Sequence, residues 1–369
     1  LPLAKPEKRL TRISVFETNG VSATHQQGIE LSNSKPTDDL IVLADVPPIP
    51  GLSFRRFRGE KDYPAMVAVV AGSNQADQLD HTDTVENLAA TYRHLVNCDP
   101  QKDMLLVEMN GNLIGFGRVW WVLKSDGLRA YMHFAVLLPE WRGKGIRRAM
   151  LRHNERRMQE IAAADPYEGQ CVIETWAAET ETDWNSLLVG EGYKPVRYGF
   201  EMVRPNLDNI PDLPLPEGID VRPALPQHYR RIWDAQAEAF QDHWGATEWR
   251  DEWFEMWQER PVFNPQLWQV AWDGDEIAGM ILNFIDQDEN QEHHRKRGYT
   301  ENISVRRPWR RRGLARALLA RSLKVLKDKG MTEAALGVDA ENISGALGLY
   351  ESMGFRTIRK QTTYHKPLE

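Results

Sequence analysis

At 369 residues, with 41% hydrophobic and 27% charged side chains, the chain has a globular composition but exceeds what one hydrophobic core usually organises, so two domains are expected. Its formal charge of −7 argues against wholesale nucleic-acid binding, which needs a positive footprint. Cys98 and Cys171 are the only cysteines, so no disulfide framework is expected and a cytoplasmic setting fits, while no segment offers the roughly 18 apolar residues of a membrane span.

Residues 1–50 read as a polar tail without a secretory apolar run. The chain then repeats itself once. Gly51-Leu-Ser-Phe-Arg-Arg-Phe-Arg opens one unit and Gly218-Ile-Asp-Val-Arg-Pro-Ala-Leu the other, each a short alternating strand. Helices are predicted next over 63–73 and 228–241, the second with Ile232, Ala235, Ala239 and Phe240 on one face. A second helix follows in each unit, over 85–97 and 247–258. Hairpins come after, turning at Asn110-Gly111 and at Asp273-Gly274, because both dipeptides tolerate positive φ. A strand, a Gly/Arg turn, a helix, a strand, a helix and a last hairpin complete each unit. Between the units, prolines 205, 211, 214 and 216 make 205–217 an extended linker. The expectation is a mixed α/β architecture with like domains over 51–204 and 218–369.

The most informative segment is Glu301-Asn-Ile-Ser-Val-Arg-Arg-Pro-Trp-Arg-Arg-Arg-Gly-Leu-Ala-Arg. A strand ends near Val305, a tight basic loop follows, and a helix starts near Gly313. A helix N-terminus carries unpaired amides and partial positive charge, which suits an anion. Gly313 clears the approach to the backbone, Ala315 keeps the first turn narrow, and the arginines add attraction for phosphate. As a free-standing basic run, 306–316 would also suit nucleic acid, but the strand, glycine and helix already account for its charges.

Here the sequence resembles the GNAT superfamily of acyl-CoA N-acyltransferases. Arg310-x-x-Gly313-x-Ala315 is similar to that family's pyrophosphate loop. Asn342-Ile-Ser-Gly-Ala346-Leu-Gly-Leu-Tyr350-Glu-Ser-Met-Gly354-Phe355 is similar to its other signature. The resemblance implies two tandem domains, each a twisted mixed sheet flanked by helices, with acetyl-CoA as co-substrate and no metal. It implies that Ile303, Ser304, Val305, Arg310, Arg311, Arg312, Gly313, Leu314, Ala315, Arg316, Asn342, Ala346 and Tyr350 meet the coenzyme. Asn342 can cap a helix and touch the coenzyme at once. Tyr350 is expected to protonate the departing thiolate, and Glu301 to serve as base, directly or through water. The strand amide near Val305 would polarise the thioester carbonyl. Direct transfer in a ternary complex is expected, since no Cys or Ser stands in a nucleophile motif.

The first unit keeps Arg142-Gly-Lys-Gly145 but has Arg147 at the position of Ala315, Leu188 at that of Tyr350 and His133 at that of Glu301. Chemistry is therefore expected in the second unit alone. Trp249, Trp253 and Trp257 recur at helical spacing beside Trp244 and Glu248, as a core stripe or as the wall of an acceptor pocket for a cation. The acidic run 286–294 reads as a solvated loop without EF-hand spacing. The leading function is acetyl transfer to a small-molecule primary amine by a monomer or homodimer. A protein N-terminus or lysine as acceptor, and a non-catalytic CoA-binding module, are the alternatives.

Overall fold

The computed structural model describes residues 39–247, 249–341 and 345–368. The first half carries β1 (Leu52–Arg55), α1 (Tyr63–Asp77), α2 (Val85–Arg93), the single turn α3 (Pro100–Asp103), β2 (Met104–Met109), β3 (Asn112–Leu123), β4 (Arg129–Leu137), α4 (Ile146–Ala164), β5 (Cys171–Ala178), α5 (Thr182–Gly190) and β6 (Lys194–Arg204). The second half carries β7 (Ile219–Arg222), α6 (Tyr229–Phe240), α7 (Asp251–Glu259), β8 (Gln269–Asp273), β9 (Glu276–Ile281), α8 (Gln287–Glu292), β10 (Arg297–Tyr299), β11 (Ser304–Val305), α9 (Leu314–Asp328), β12 (Glu333–Asp339), α10 (Ala346–Ser352) and β13 (Arg356–Pro367). The predicted Asn-Gly hairpin forms with Asn110 at φ 51° and Gly111 at φ 83°, the left-handed pair that a tight β-turn demands.

Nine strands form one sheet in the order β1-β2-β3-β4-β5-β13-β6-β12-β10, and β11-β9-β8-β7 form a second. The last strand of each half has changed sides. β13 lies between β5 and β6, and β6 lies between β13 and β12, so each terminal strand pairs only with strands of the other half. The segment 205–217 runs with Leu207 buried and Ile210, Leu213 and Leu215 packed on the second half's core. Residues 39–50, read from sequence as the end of a polar tail, lie along the first half. There Leu43 is buried and the Ile41 amide donates to the Phe54 carbonyl at 2.8 Å. The remainder of that tail, and Glu248, lie outside the described residues.

The positions that matter for chemistry are set by a split in each half. β4 pairs in parallel with β5 from Arg129 to Met132 and then parts from it. In the second half β10 pairs with β12 over Arg297–Tyr299, and the Thr300 amide still reaches the Ala335 carbonyl at 2.9 Å. Asn302 then adopts φ 52°, and the chain swings over to β9 as β11. A wedge opens between β11 and β12. The run 286–294 is not a solvated loop. Asp286 and Glu289 are each 1% exposed: Asp286 caps α8 by accepting the Glu289 amide at 2.9 Å, while Glu289 takes the Arg295 guanidinium and the Tyr299 hydroxyl. The flanking arginine and tyrosine let these acids be buried, which acidic composition alone does not reveal.

Candidate active site

The wedge owes its polarity to strand alternation. The Arg306 amide donates to Ala278 at 3.0 Å, and Ser304 pairs with Met280. Antiparallel alternation therefore turns the amide and carbonyl of Val305 away from β9. Arg310 Nε meets that carbonyl at 2.9 Å. The Val305 N–H thus lies on the wedge side, where the resemblance wanted an oxyanion donor. Ile303 packs on the second half's core, and Ser304 Oγ is buried without a partner among the described residues.

The loop before α9 divides its arginines into two sets. Arg310 Nη1 pairs with Asp242 at 2.6 Å and Nη2 donates to the Ala239 carbonyl at 3.2 Å. Arg307 also pairs with Asp242, and Arg306 with Glu238 and Glu276 at 2.8 and 3.0 Å. Arg307 first, and then Arg310, hold the Asp242 carboxyl well below its usual range. These three arginines clasp the loop to α6, so Arg310 builds the site through its fold. Arg311, Arg312 and Arg316 are exposed and carry no ion pair among the described residues, which leaves them for an anion. Arg311 at φ 61° and Gly313 at φ 82° curl the loop into the helix. The first helical acceptor is filled by Ala317 N–H donating to Gly313 O at 3.1 Å, so the amides ahead of Ala317 point out of the N-terminus. Leu314 is 1% exposed and anchors that turn in the core. A Cβ on Gly313 would meet nothing within 4 Å: the cradle is open where a phosphate would approach. The residues present fit a coenzyme A pyrophosphate.

Tyr350 is 5% and Glu301 6% exposed. Burial first, and then the charge of Glu301, hold the Tyr350 phenol above its ordinary range, so it keeps its proton at neutral pH. Ala346 is buried at the start of α10, and Asn342 lies outside the described residues. Glu301 also borders a cleft of about 360 Å³ that takes Trp233, Trp249, Trp253 and Trp257 as walls. Trp233, Trp253 and Trp257 belong to a buried cluster with Trp268 and Val270, and partly buried Trp249 packs against it, so the stripe serves as core and wall together. The cleft's far wall comes from the first half and was missed in the sequence: Lys124, Glu174 and Trp176. Glu174 accepts from Lys124 and meets His365 Nε2 at 2.5 Å, and Trp244 stacks on that histidine at 6.1 Å. No local spacing announces these partners, because Lys124 and Glu174 are far apart in the chain and His365 arrives on the exchanged β13.

The first half repeats the clasp but not the opening. Arg142 donates to Leu137 O at 3.1 Å and pairs with Asp77 at 2.6 Å, copying Arg310. Arg147, however, points its side chain into the wedge, where Nε donates to the Ala135 carbonyl at 2.7 Å. Leu188 is fully buried where the second half has Tyr350. His133 is fully buried against the Tyr193 hydroxyl at 3.0 Å, and burial, followed by the charge of Lys366, pushes its pKa down to about 3. Leu188 carries no ionisable group, and burial keeps the His133 imidazole neutral near pH 7.

A split mixed sheet, an amide-lined loop opening a helix, and a protonated tyrosine beside a carboxylate define an acyltransferase. The profile of the acetyltransferase (GNAT) family matches residues 74–165 and 229–355, and the chain belongs to that family of N-acetyltransferases. It is 27% identical over 257 residues to a mycothiol acetyltransferase of Geodermatophilus obscurus, covering 69% of this chain and 79% of that protein. The mycothiol acetyltransferase of Streptomyces bingchenggensis is 29% identical over 273 residues, covering 71% and 80%. Among solved structures, a GCN5-related N-acetyltransferase from Sphaerobacter thermophilus superposes with a TM-score of 0.66 at 26% identity, over 87% of this chain and 97% of that one. A tandem GNAT protein from the clavulanic acid biosynthesis pathway shares the fold, with a TM-score of 0.61 at 13% identity over 86% and 99%. Among the described residues no helix is long and apolar enough to cross a membrane, and no group of three or more His, Cys, Asp or Glu could hold a metal.

Proposed function

We propose that this chain moves an acetyl group from acetyl-CoA to a primary amine of a small molecule, with all chemistry in the second half. The reading divides the chain into domains over 51–204 and 218–369 that have exchanged their terminal strands. The carrying observation is the asymmetry of the two wedges. Ala315 leaves the second open, whereas Arg147 fills the first.

Acetyl-CoA supplies an acyl group already activated as a thioester. The amides of Gly313 to Arg316, with Arg311, Arg312 and Arg316, would hold its pyrophosphate, while Ile303 to Val305 and Ala346 border the arm. A free lysine-type amine has a pKa of roughly 10.4 and must lose a proton before it attacks. Glu301, shared by wedge and cleft, takes that proton directly or through water. The Val305 N–H stabilises negative charge on the carbonyl oxygen. Tyr350 Oη, kept protonated by burial, gives its proton to the departing sulfur. A cleft of about 360 Å³ suits a small acceptor better than a polypeptide, which needs an open groove. Its tryptophan faces beside Glu301 favour a cationic amine, and Gln236, also on the wall, keeps an amide oxygen without a partner among the described residues. The two unpaired cysteines suit a reducing, cytoplasmic compartment.

Calorimetric titration of acetyl-CoA into the full chain, followed by a thiol-release screen of small amines, tests the reading. One site per chain and turnover with a primary amine are expected. Two equal sites would refute the single-wedge assignment, and absence of binding would leave a scaffold in its place.

A further inference from the structure

The first half retains a cavity related by the repeat to the catalytic cleft; of the residues given a part in the proposed chemistry, it borders Glu301 alone. It encloses about 310 Å³ between Phe116, Phe134, Trp176 and Trp184, with Arg118 and Arg147 in its lining. Arg147 is 8% exposed. Its guanidinium lies 4.2 Å from the centre of the Trp184 ring, and Nε is held by Ala135 O. The rest of the group is poorly satisfied. Nη1 has no partner among the described residues, and Nη2 stands 3.7 Å from Glu181, beyond hydrogen-bond reach. Glu181 is a weak counter-charge, because burial holds its carboxyl above the ordinary range and it already accepts the Ala178 amide at 2.8 Å.

Of the other acids at this cavity, Glu301 is the proposed base, shared with the second half's cleft, Asp83 stands 3.4 Å from His81 Nε2, and the rest are committed to arginines. Asp80 and Glu289 take Arg295, and Glu201 takes Arg359 at 2.5 Å. Arg118 adds positive charge, held 4.8 Å from the Trp120 ring centre and 5.4 Å from that of Phe134. A buried cation without a matched anion is unfavourable, and an entering carboxylate removes the deficit through charge-assisted hydrogen bonds. The aromatic walls select a flat apolar body for that carboxylate.

We propose that the first half's cavity, closed to coenzyme by Arg147, is a binding site for a small carboxylate with a flat apolar body, its charged end meeting the Arg147 guanidinium. The assignment is independent of the acceptor proposed above.

Benzoate is the probe, titrated into the full chain with coenzyme A saturating, so that the catalytic wedge is filled. Saturable binding to one site is expected, with no binding of benzyl alcohol, which has the ring without the charge. Arg147→Met, which keeps an apolar stem over Trp184, is expected to weaken benzoate at least tenfold. Glu181→Gln, which removes the competing carboxylate, is expected to tighten it severalfold. Equal affinity in Arg147→Met, equal binding of benzyl alcohol, or no benzoate binding overturns the proposal. Should circular dichroism show Arg147→Met unfolded, Glu181→Gln decides: unchanged or weakened affinity overturns it equally.

Discussion

Tyr350 and His133 show how one physical force, burial, sets two opposite fates. Burial raises a phenol's pKa and lowers an imidazole's, because each keeps its neutral form. In the proposed mechanism the neutral form of Tyr350 is the useful one, a proton ready at the wedge. Tyr350→Phe should therefore keep acetyl-CoA affinity and lose about 10²- to 10⁴-fold in kcat, measured by thiol release beside a binding titration. Undiminished turnover would remove the tyrosine from the mechanism. For His133 the neutral form is a structural demand. Its pKa is about 3 in the fold against 6.5 ordinarily, so between those values the unfolded chain binds the extra proton. Stability from this residue is complete above pH 6.5 and falls as pH drops towards 3, by up to about 1.4 kcal/mol per pH unit. Denaturant melts from pH 7 to pH 4 should show that slope, and His133→Phe should flatten it. An unchanged slope in the variant would assign the acid sensitivity to other groups.

At the level of elements, the strand–loop–helix unit was legible in the sequence because its parts obey local rules. Gly313 and Gly145 take φ 82° and 85°, as a left-handed turn into a helix requires, and α9 shows its apolar stripe in Leu319, Leu323 and Leu326. The charge division within the loop was not legible. Nothing local distinguishes Arg310, spent on Asp242, from Arg311 and Arg312, because the partner sits in the distant turn just past α6. The same limit hid Glu174 and Lys124, whose places at the proposed cleft are set by distant chain, Lys124 bridging to Thr247 and Glu174 meeting His365 on the exchanged β13. These two glycines give a matched test of which loop works. An alanine at either one meets no heavy atom closer than 3.8 Å, so each variant should lose only the left-handed backbone cost, about 1–2 kcal/mol. Thermal melts should show similar losses. Steady-state rates should not: Gly313→Ala should cost at least about tenfold in kcat/KM, the loss of some 1.4 kcal/mol of binding, while Gly145→Ala stays near wild type. The reverse pattern would exchange the roles of the halves.

Over the whole molecule, the exchanged strands make the halves one folding unit despite the repeat. β13 is hydrogen-bonded to β5 from Gln361 to Pro367, and β6 to β12 from Gly199 to Arg204. Removing either terminal strand would expose two new sheet edges, each a row of unpaired amides and carbonyls. Side chains reinforce the crossing. Arg197 pairs with Asp339 at 2.7 Å, and Arg204 donates to the Met353 carbonyl. The cleft proposed for catalysis depends on this arrangement, since Glu174 and Trp176 stand on β5 while Glu301 and the tryptophans belong to the second half. The covalent link through the connecting segment is thus not what holds the halves together, although its apolar side chains pack on the second half's core. A protease site inserted after Asp212, whose side chain is 95% exposed, should be cut in the native protein. The two fragments should then co-elute at the mass of the intact chain, keep their activity, and separate only in denaturant, because the ladders rather than the covalent link hold them. Size exclusion before and after cleavage reads this directly. Two half-mass peaks under native conditions would mean that each terminal strand can fold back onto its own half, and that the exchange is one of two closely balanced pairings.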